Sequence, residues 1–254
     1  MKIMEDKKPS IVVKNISKKF SIGFKRNDSF LAKILCFSFG DEIKKELWAL
    51  KNVSFDVNAG ENLGIIGRNG SGKSTLLRVI AGVFPANEGE VETNGKLIYL
   101  TGFGQGLKPK LTMRENIYLI GSIMGLSQKD IKKRFNEIIE FSGLKNFLDV
   151  KVYKFSSGMI ARLNFSIGIH CLKHSNPDIL LFDEVFHSGG DIYFKKKIIE
   201  KMEEFLKGGT TVILVSHDLE TIKKYCDKVL WLERGEVIKY GEPNEIVEAY
   251  EISV

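Results

Sequence analysis

Proline is scarce in this chain, five in 254 residues, and cysteine is scarcer, with three. Cys36, Cys171 and Cys226 form neither a C-x-x-C pair nor the even-numbered set of a disulfide framework, which excludes a cross-linked secreted scaffold. They read as small buried hydrophobes in a reducing cytosol. Nowhere do about 18 apolar residues run together, so no membrane-spanning helix is encoded. The opening MKIMEDKKPS lacks the apolar core of a signal peptide, and no internal repeat or low-complexity tract occurs.

Apolar and charged residues make up 43% and 28% of the chain, the balance of a globular protein large enough for one α/β domain or a core with a satellite. The formal net charge of +6 comes mostly from lysine spread along the chain. Such an excess suits nucleic acid, an anionic membrane surface or a plain solvated exterior, and does not choose among them.

Residues 67–75 read Gly67-Arg68-Asn69-Gly70-Ser71-Gly72-Lys73-Ser74-Thr75, a full match to the phosphate-loop pattern G-x-x-x-x-G-K-[ST]. The glycines let backbone N–H groups converge on the α and β phosphates of a nucleotide. Lys73 brings positive charge toward the β and γ phosphates, and the Ser74 hydroxyl can bind Mg2+. The flanks agree. Residues 61–67 are a short apolar run with Leu63, Ile65 and Ile66, suited to a buried strand, and residues 74–82 (STLLRVIAG) suit a helix.

Residues 11–20 (IVVKNISKKF) alternate and carry β-branched side chains, and residues 50–57 (LKNVSFDV) repeat that strand signal before an Asn58-Ala59-Gly60 turn. Between them, residues 21–48 are an interruption rich in aromatics and lysines. Phe30, Leu31, Ile34, Leu35, Phe37 and Phe39 could line one helical face there, flanked by Lys25, Arg26, Lys33, Lys44 and Lys45. Docking at a membrane interface and packing on the chain's own domain both suit that composition. Residues 111–172 read as helical: Thr112 with Glu115 and Ser127 with Asp130 have capping-box spacing, and Ile131, Phe135, Ile138 and Ile139 recur at helical intervals. From Asp178 the alternation of strand and helix resumes with DILLFDE, a helix over 192–207, TVILVSH, a short helix over 219–226, and KVLWLERGEVIKYG. The expected fold is α/β, a mainly parallel sheet flanked by helices, with an N-terminal antiparallel β region and an inserted α-helical subdomain over 106–172.

Three further groups of residues fit a nucleotide site. Four apolar residues from Ile179 run into Asp183 and Glu184, the Walker B arrangement, in which Asp183 lies beside the Mg2+ held by Ser74 and Glu184 polarises a water for attack on the γ phosphate. His217 ends the next expected strand, and ligands of open parallel sheets gather at such ends. Ser156-Ser157-Gly158 opens a strongly helical segment, where two hydroxyls and free N–H groups make an anion site.

Taken in order, phosphate loop, helical insert, Ser-Ser-Gly before a helix, Walker B and strand-end histidine resemble the nucleotide-binding subunit of ABC transporters, over essentially residues 11–240. The resemblance implies a P-loop NTPase core that binds and hydrolyses ATP with Mg2+, two ATP molecules being sandwiched between two copies of the chain. It implies that Glu184 is the catalytic base and His217 the γ-phosphate switch. The signature motif stands here as Phe155-Ser156-Ser157-Gly158-Met159, and Ser156 to Met159 would serve the other copy's ATP. Partners implied are a second copy and a separate transmembrane permease at the cytoplasmic face of the cytoplasmic membrane, with no nucleic acid. The S-S-G-M form, the Leu111 to Ile117 segment and the insertion at 21–48 look most like the branch that exports polysaccharides such as O-antigen, capsule or teichoic acid polymers. Another cargo, a lipid or a small solute, is the alternative within transport, and a soluble nucleic-acid-linked ATPase is a remote one.

Several positions depart from the family pattern. The glutamine that ordinarily contacts metal and membrane subunit has only Gln105 as a candidate, set among glycines. The loop after Walker B is one residue longer than usual, and Asp191 is the counterpart of its aspartate. Phe20 is preferred to Phe24 or Trp48 as the adenine-stacking aromatic. The chain is expected to be a single nucleotide-binding domain over 1–254, ending at Val254 without the C-terminal carbohydrate-binding domain that some relatives carry.

Overall fold

The computed structural model describes residues 9–22, 45–101, 106–183 and 192–253. Strands β1 (Pro9–Ile22), β2 (Lys45–Asn58) and β4 (Glu88–Thr93) make an antiparallel sheet in the order β2-β1-β4. The second sheet runs β5 (Leu97–Thr101), β6 (Ile179–Asp183), β7 (Thr211–Val215), β3 (Asn62–Ile66), β8 (Lys228–Glu233) and β9 (Glu236–Gly241). Its neighbours are parallel except β9, which returns antiparallel along β8. Every residue of β3, β6 and β7 is buried. That is why they read as continuous apolar runs: both faces of the sheet are covered.

Alternation along each strand sends side chains to two different cores. Ile179, Leu181, Ile213 and Val215 meet helix α1 (Lys73–Ile80) and the antiparallel sheet, through Leu76, Leu77, Val13 and Val53. Leu180, Phe182, Val212 and Leu214 face the opposite layer. That layer is formed by α5 (Ile192–Leu206), α6 (Leu219–Tyr225) and α7 (Pro243–Ser253) with part of α4 (Ser157–Ser175). Each such Leu, Ile or Phe contributes roughly 1.5–3 kcal/mol on burial.

Between β5 and β6 lie α2 (Met113–Ile123), α3 (Gln128–Ser142) and α4, packed on a third core of Met113, Ile117, Ile131, Ile138, Leu163 and Ile167. Helix α4 belongs to both layers, since Phe165, Ile169 and Leu172 point to the sheet. The reciprocal capping box at Thr112 and Glu115 is present. At the start of α3, Ser127 accepts from the Asp130 N–H and donates to its carboxylate. Asn116, fully buried, fastens the approach to α2: its side chain accepts from the Lys108 N–H and donates to the carbonyls of Lys108 and Thr112.

Two expectations need correction. The strands flanking the 21–48 interruption are longer than 11–20 and 50–57, because pairing continues to Ile22 opposite Lys45. The ends of that segment therefore belong to the hairpin. The helical face built on Phe30 to Phe39 lies outside the described residues, as does Cys36. The stretch 111–172 is not continuously helical: Gly143, left-handed at φ 67°, ends α3, and short 3-10 turns follow at Lys145–Phe147 and Val152–Lys154. No helix among the described residues is long and apolar enough to cross a membrane.

Replacing Asn116 by alanine strands several backbone groups and is expected to cost about 2 kcal/mol. The thermal midpoint should then fall by about 4–8 °C in a melt followed by circular dichroism. An unchanged midpoint would mean that this network carries no stability. Burial pushes the Cys171 thiol up to about 11 and the Cys226 thiol to about 12. Both should stay unmodified by iodoacetamide at mildly alkaline pH in the folded protein and react once it is unfolded, as read by peptide mass.

Candidate functional site: a phosphate loop at the strand ends

Parallel register brings the chemistry to one edge. Val215 of β7 lies abreast of Ile65 on one side and of Asp183 on the other. Gly67 follows Ile65 by two residues, and His217 follows Val215 by two. The phosphate loop, His217 and Asp183 thus emerge together at the C-terminal ends of adjacent strands, where open α/β sheets bind ligands. His217 is exposed there, while Ser216 beneath it is buried and receives the Asp218 N–H.

The loop is set by close backbone approaches. Gly67 has φ 145°, and a Cβ there would stand 2.0 Å from the Leu232 carbonyl oxygen. At Gly72, φ 110°, a Cβ would meet the Ala49 carbonyl at 2.5 Å. Arg68, Asn69 and Gly70 form the exposed outer turn. The Gly235 N–H donates to the Ser71 carbonyl at 2.8 Å, and the Lys51 N–H donates to the Gly235 carbonyl at 2.8 Å.

Helix α1 starts at Lys73 with Gly72 as its N-cap, without a side-chain cap and without an acidic residue in its first turn. Its leading N–H groups therefore lack a side-chain acceptor, and the positive end of the helix favours an anion. Ser71 Oγ is buried and has no hydrogen-bond partner among the described residues. The Lys73 ammonium, also buried, donates to the carbonyls of Gly67 at 2.7 Å and Arg68 at 3.0 Å. These groups fit a polyphosphate: donors and one cation, with no carboxylate among them.

Ser74 Oγ donates to Asp183 Oδ1 at 2.9 Å. A hydroxyl and a carboxylate in contact are hard oxygen donors of the kind Mg2+ takes, and Mg2+ uses few protein ligands, completing its shell with phosphate and water. No group of three or more His, Cys, Asp or Glu side chains among the described residues offers an all-protein cage. The second oxygen of Asp183 accepts from the Tyr99 hydroxyl at 3.1 Å. Burial, and then the Asp183 charge, push that phenol up to about 12, so it remains a donor.

A cavity of about 640 Å³ opens beside the loop, with Phe20, Trp48, Lys51, Thr75 and Arg234 on its wall. Phe20 and Trp48, two of the three candidate adenine-stacking aromatics, both line it. Phe20 is braced edge-on by Phe84 at 5.5 Å, with the Lys18 ammonium 5.3 Å from its ring. Phe24 lies outside the described residues, as do Glu184, Asp191 and Gln105.

Ser156 to Met159 are not brought to this cavity. Ser156 caps α4, its Oγ accepting from the Met159 N–H, and it stands exposed with Ser157 while Gly158 and Met159 are half-buried. Two residues near the loop escaped the sequence reading. Tyr99 needed the adjacency of β5 and β6, which no local pattern carries; Arg234 needed the β8–β9 turn to lie against the loop. Its left-handed backbone, φ 48°, in a residue other than glycine leaves no trace in composition.

Comparison with known proteins places this geometry. The family described as ABC transporter matches residues 50–187, more than half of the chain. A teichoic acids export ATP-binding protein of Lactococcus lactis is 43% identical over 248 residues, 98% of this chain and 52% of that protein. An O-antigen export system ATP-binding protein of Klebsiella pneumoniae is 42% identical over 202 residues, 80% of each. The chain spans about half the length of the Lactococcus relative and of a similar Myxococcus xanthus protein. Its fold matches a dimeric ATP-binding cassette solved in a post-hydrolysis state with ADP and phosphate, at a TM-score of 0.70 and 24% identity, over 92% of this chain and 98% of the other. Loop, sheet order and sequence likeness agree, and the chain belongs to the ABC transporter family.

Proposed function

We propose that this chain is the ATP-hydrolysing motor subunit of an ABC exporter of cell-surface polysaccharide or lipid-linked glycan. The observation that carries the motor reading is the contact of Ser74 with Asp183, which joins the phosphate loop to the Walker B strand at 2.9 Å. The cargo reading is supported by the relatives' names, which concern teichoic acids and O-antigen.

When bound, Mg2+-ATP would supply the phosphoanhydride bond whose cleavage lets two copies of the chain, closed on two ATP molecules, reopen. The N–H groups of Gly70 to Ser74 and the Lys73 ammonium hold the phosphates. Ser74 and Asp183 would hold the metal, with Gln105 as a third candidate ligand. Phe20 stacks on the base. Glu184 accepts the proton of the attacking water, and His217 hydrogen-bonds the γ phosphate. Ser156, Ser157, Gly158 and Met159 stand away from their own loop, which suits donation to the ATP of a second copy. Asp191 is the counterpart of the aspartate in the family's loop after Walker B. The homodimer then works a separate permease from the cytoplasmic face of the membrane, as one nucleotide-binding domain per chain.

Glu184→Gln should bind ATP but turn over on the order of 100-fold or more slowly and accumulate as a dimer by light scattering. Full turnover would remove Glu184 from the role of base. Lys73→Ala should weaken ATP binding at least about ten-fold by calorimetry, and unchanged affinity would count against the phosphate-loop assignment. For the cargo, deleting the chain in its host should trap a glycan polymer on the cytoplasmic side; normal surface polymer would redirect the proposal to another substrate.

A further inference from the structure

Both oxygens of Asp183 are engaged, and only one of them by the phosphate loop. Oδ1 accepts from Ser74 and Oδ2 from Tyr99, at 2.9 and 3.1 Å. A carboxylate held through one oxygen can still turn about its Cβ–Cγ bond; held through both, its plane is fixed. Tyr99 is itself restrained. It is half-buried against the core beneath the antiparallel sheet, and the positive charge of Arg78 acts on the same hydroxyl. Arg78 also lies 5.7 Å from the Phe84 ring, which meets Phe20 edge-on.

We propose that Tyr99 is a positioning residue for the metal carboxylate: its hydroxyl anchors Oδ2 of Asp183 so that Oδ1, with Ser74 Oγ, is presented to Mg2+. This rests on Ser74 and Asp183 being the protein's metal ligands. A partner on the far side of a ligating carboxylate fixes its orientation, and losing such a partner weakens metal affinity about 10–100-fold. Tyr99 touches neither metal nor phosphate; it acts through Asp183.

The test compares the wild type with Tyr99→Phe, which keeps the ring and removes the hydroxyl. ATP affinity is measured by calorimetry first in EDTA and then across a Mg2+ titration, with circular dichroism and a melt on the same samples. The expected result is an unchanged affinity in EDTA together with an about ten-fold rise in the Mg2+ concentration that half-saturates the metal-dependent gain. An unchanged Mg2+ midpoint, or an equal loss with and without metal, would overturn the proposal, the latter because it marks a purely structural tyrosine. If Tyr99→Phe melts early, the titrations are repeated at a temperature where circular dichroism shows the variant folded, with the same rise in the Mg2+ midpoint expected and none overturning the proposal. Asp183→Asn separates the two levels: if it too leaves the Mg2+ midpoint unchanged, the ligand assignment itself is wrong.

Discussion

Parallel pairing leaves no freedom in which residues lie abreast, and the row Ile65, Val215, Asp183 decides where three chain segments leave the sheet. A slip of one residue in β7 would turn its core-facing side chains to the opposite layer and carry His217 away from the loop. The five-residue strands β3, β6 and β7 are buried throughout, so both faces resist such a slip. The position of the phosphate loop relative to Asp183 is thus enforced by apolar packing that touches no ligand. Fold and site are the same constraint seen from two sides.

Charge at this edge is handled locally. Lys73 and Asp183 are both nearly inaccessible, and an unpartnered buried charge would be costly. The lysine is satisfied by backbone carbonyls, and the carboxylate by two hydroxyls. Neither bond requires the two charges to pair directly with each other. The cation stays directed at the loop and the anion at Ser74, which is the separation that a phosphate and a divalent cation need.

How much of this the amino-acid sequence disclosed depended on the range of each interaction. The phosphate loop and the strand before Asp183 were legible because glycine spacing and two-sided burial leave local marks. Helix α3 was legible from Ile131, Ile138 and Ile139, which bury one face. Helix α4 was legible as a helix but not as a bridge, since its Leu163 and Ile167 serve one core and its Phe165 and Ile169 another. Tyr99 was invisible: its hydrogen bond to Asp183 crosses 84 positions and exists only because β5 lies beside β6. The far ends of β1 and β2, rich in lysine and glutamate, lack clean alternation, and the hairpin rather than hydrophobic patterning carries pairing out to Ile22 and Lys45.

The backbone bonds from Lys51 to Gly235 and from Gly235 to Ser71 have a mechanical consequence. Lys51 belongs to the antiparallel sheet, and Gly235 to the turn joining β8 and β9 in the other. The phosphate loop is therefore a seam sewn to both sheets, not an appendage of the strand that precedes it. Any tilt of one sheet on the other is felt as shear across the loop. A nucleotide gripped by the loop would, in turn, stiffen the joint between the two sheets.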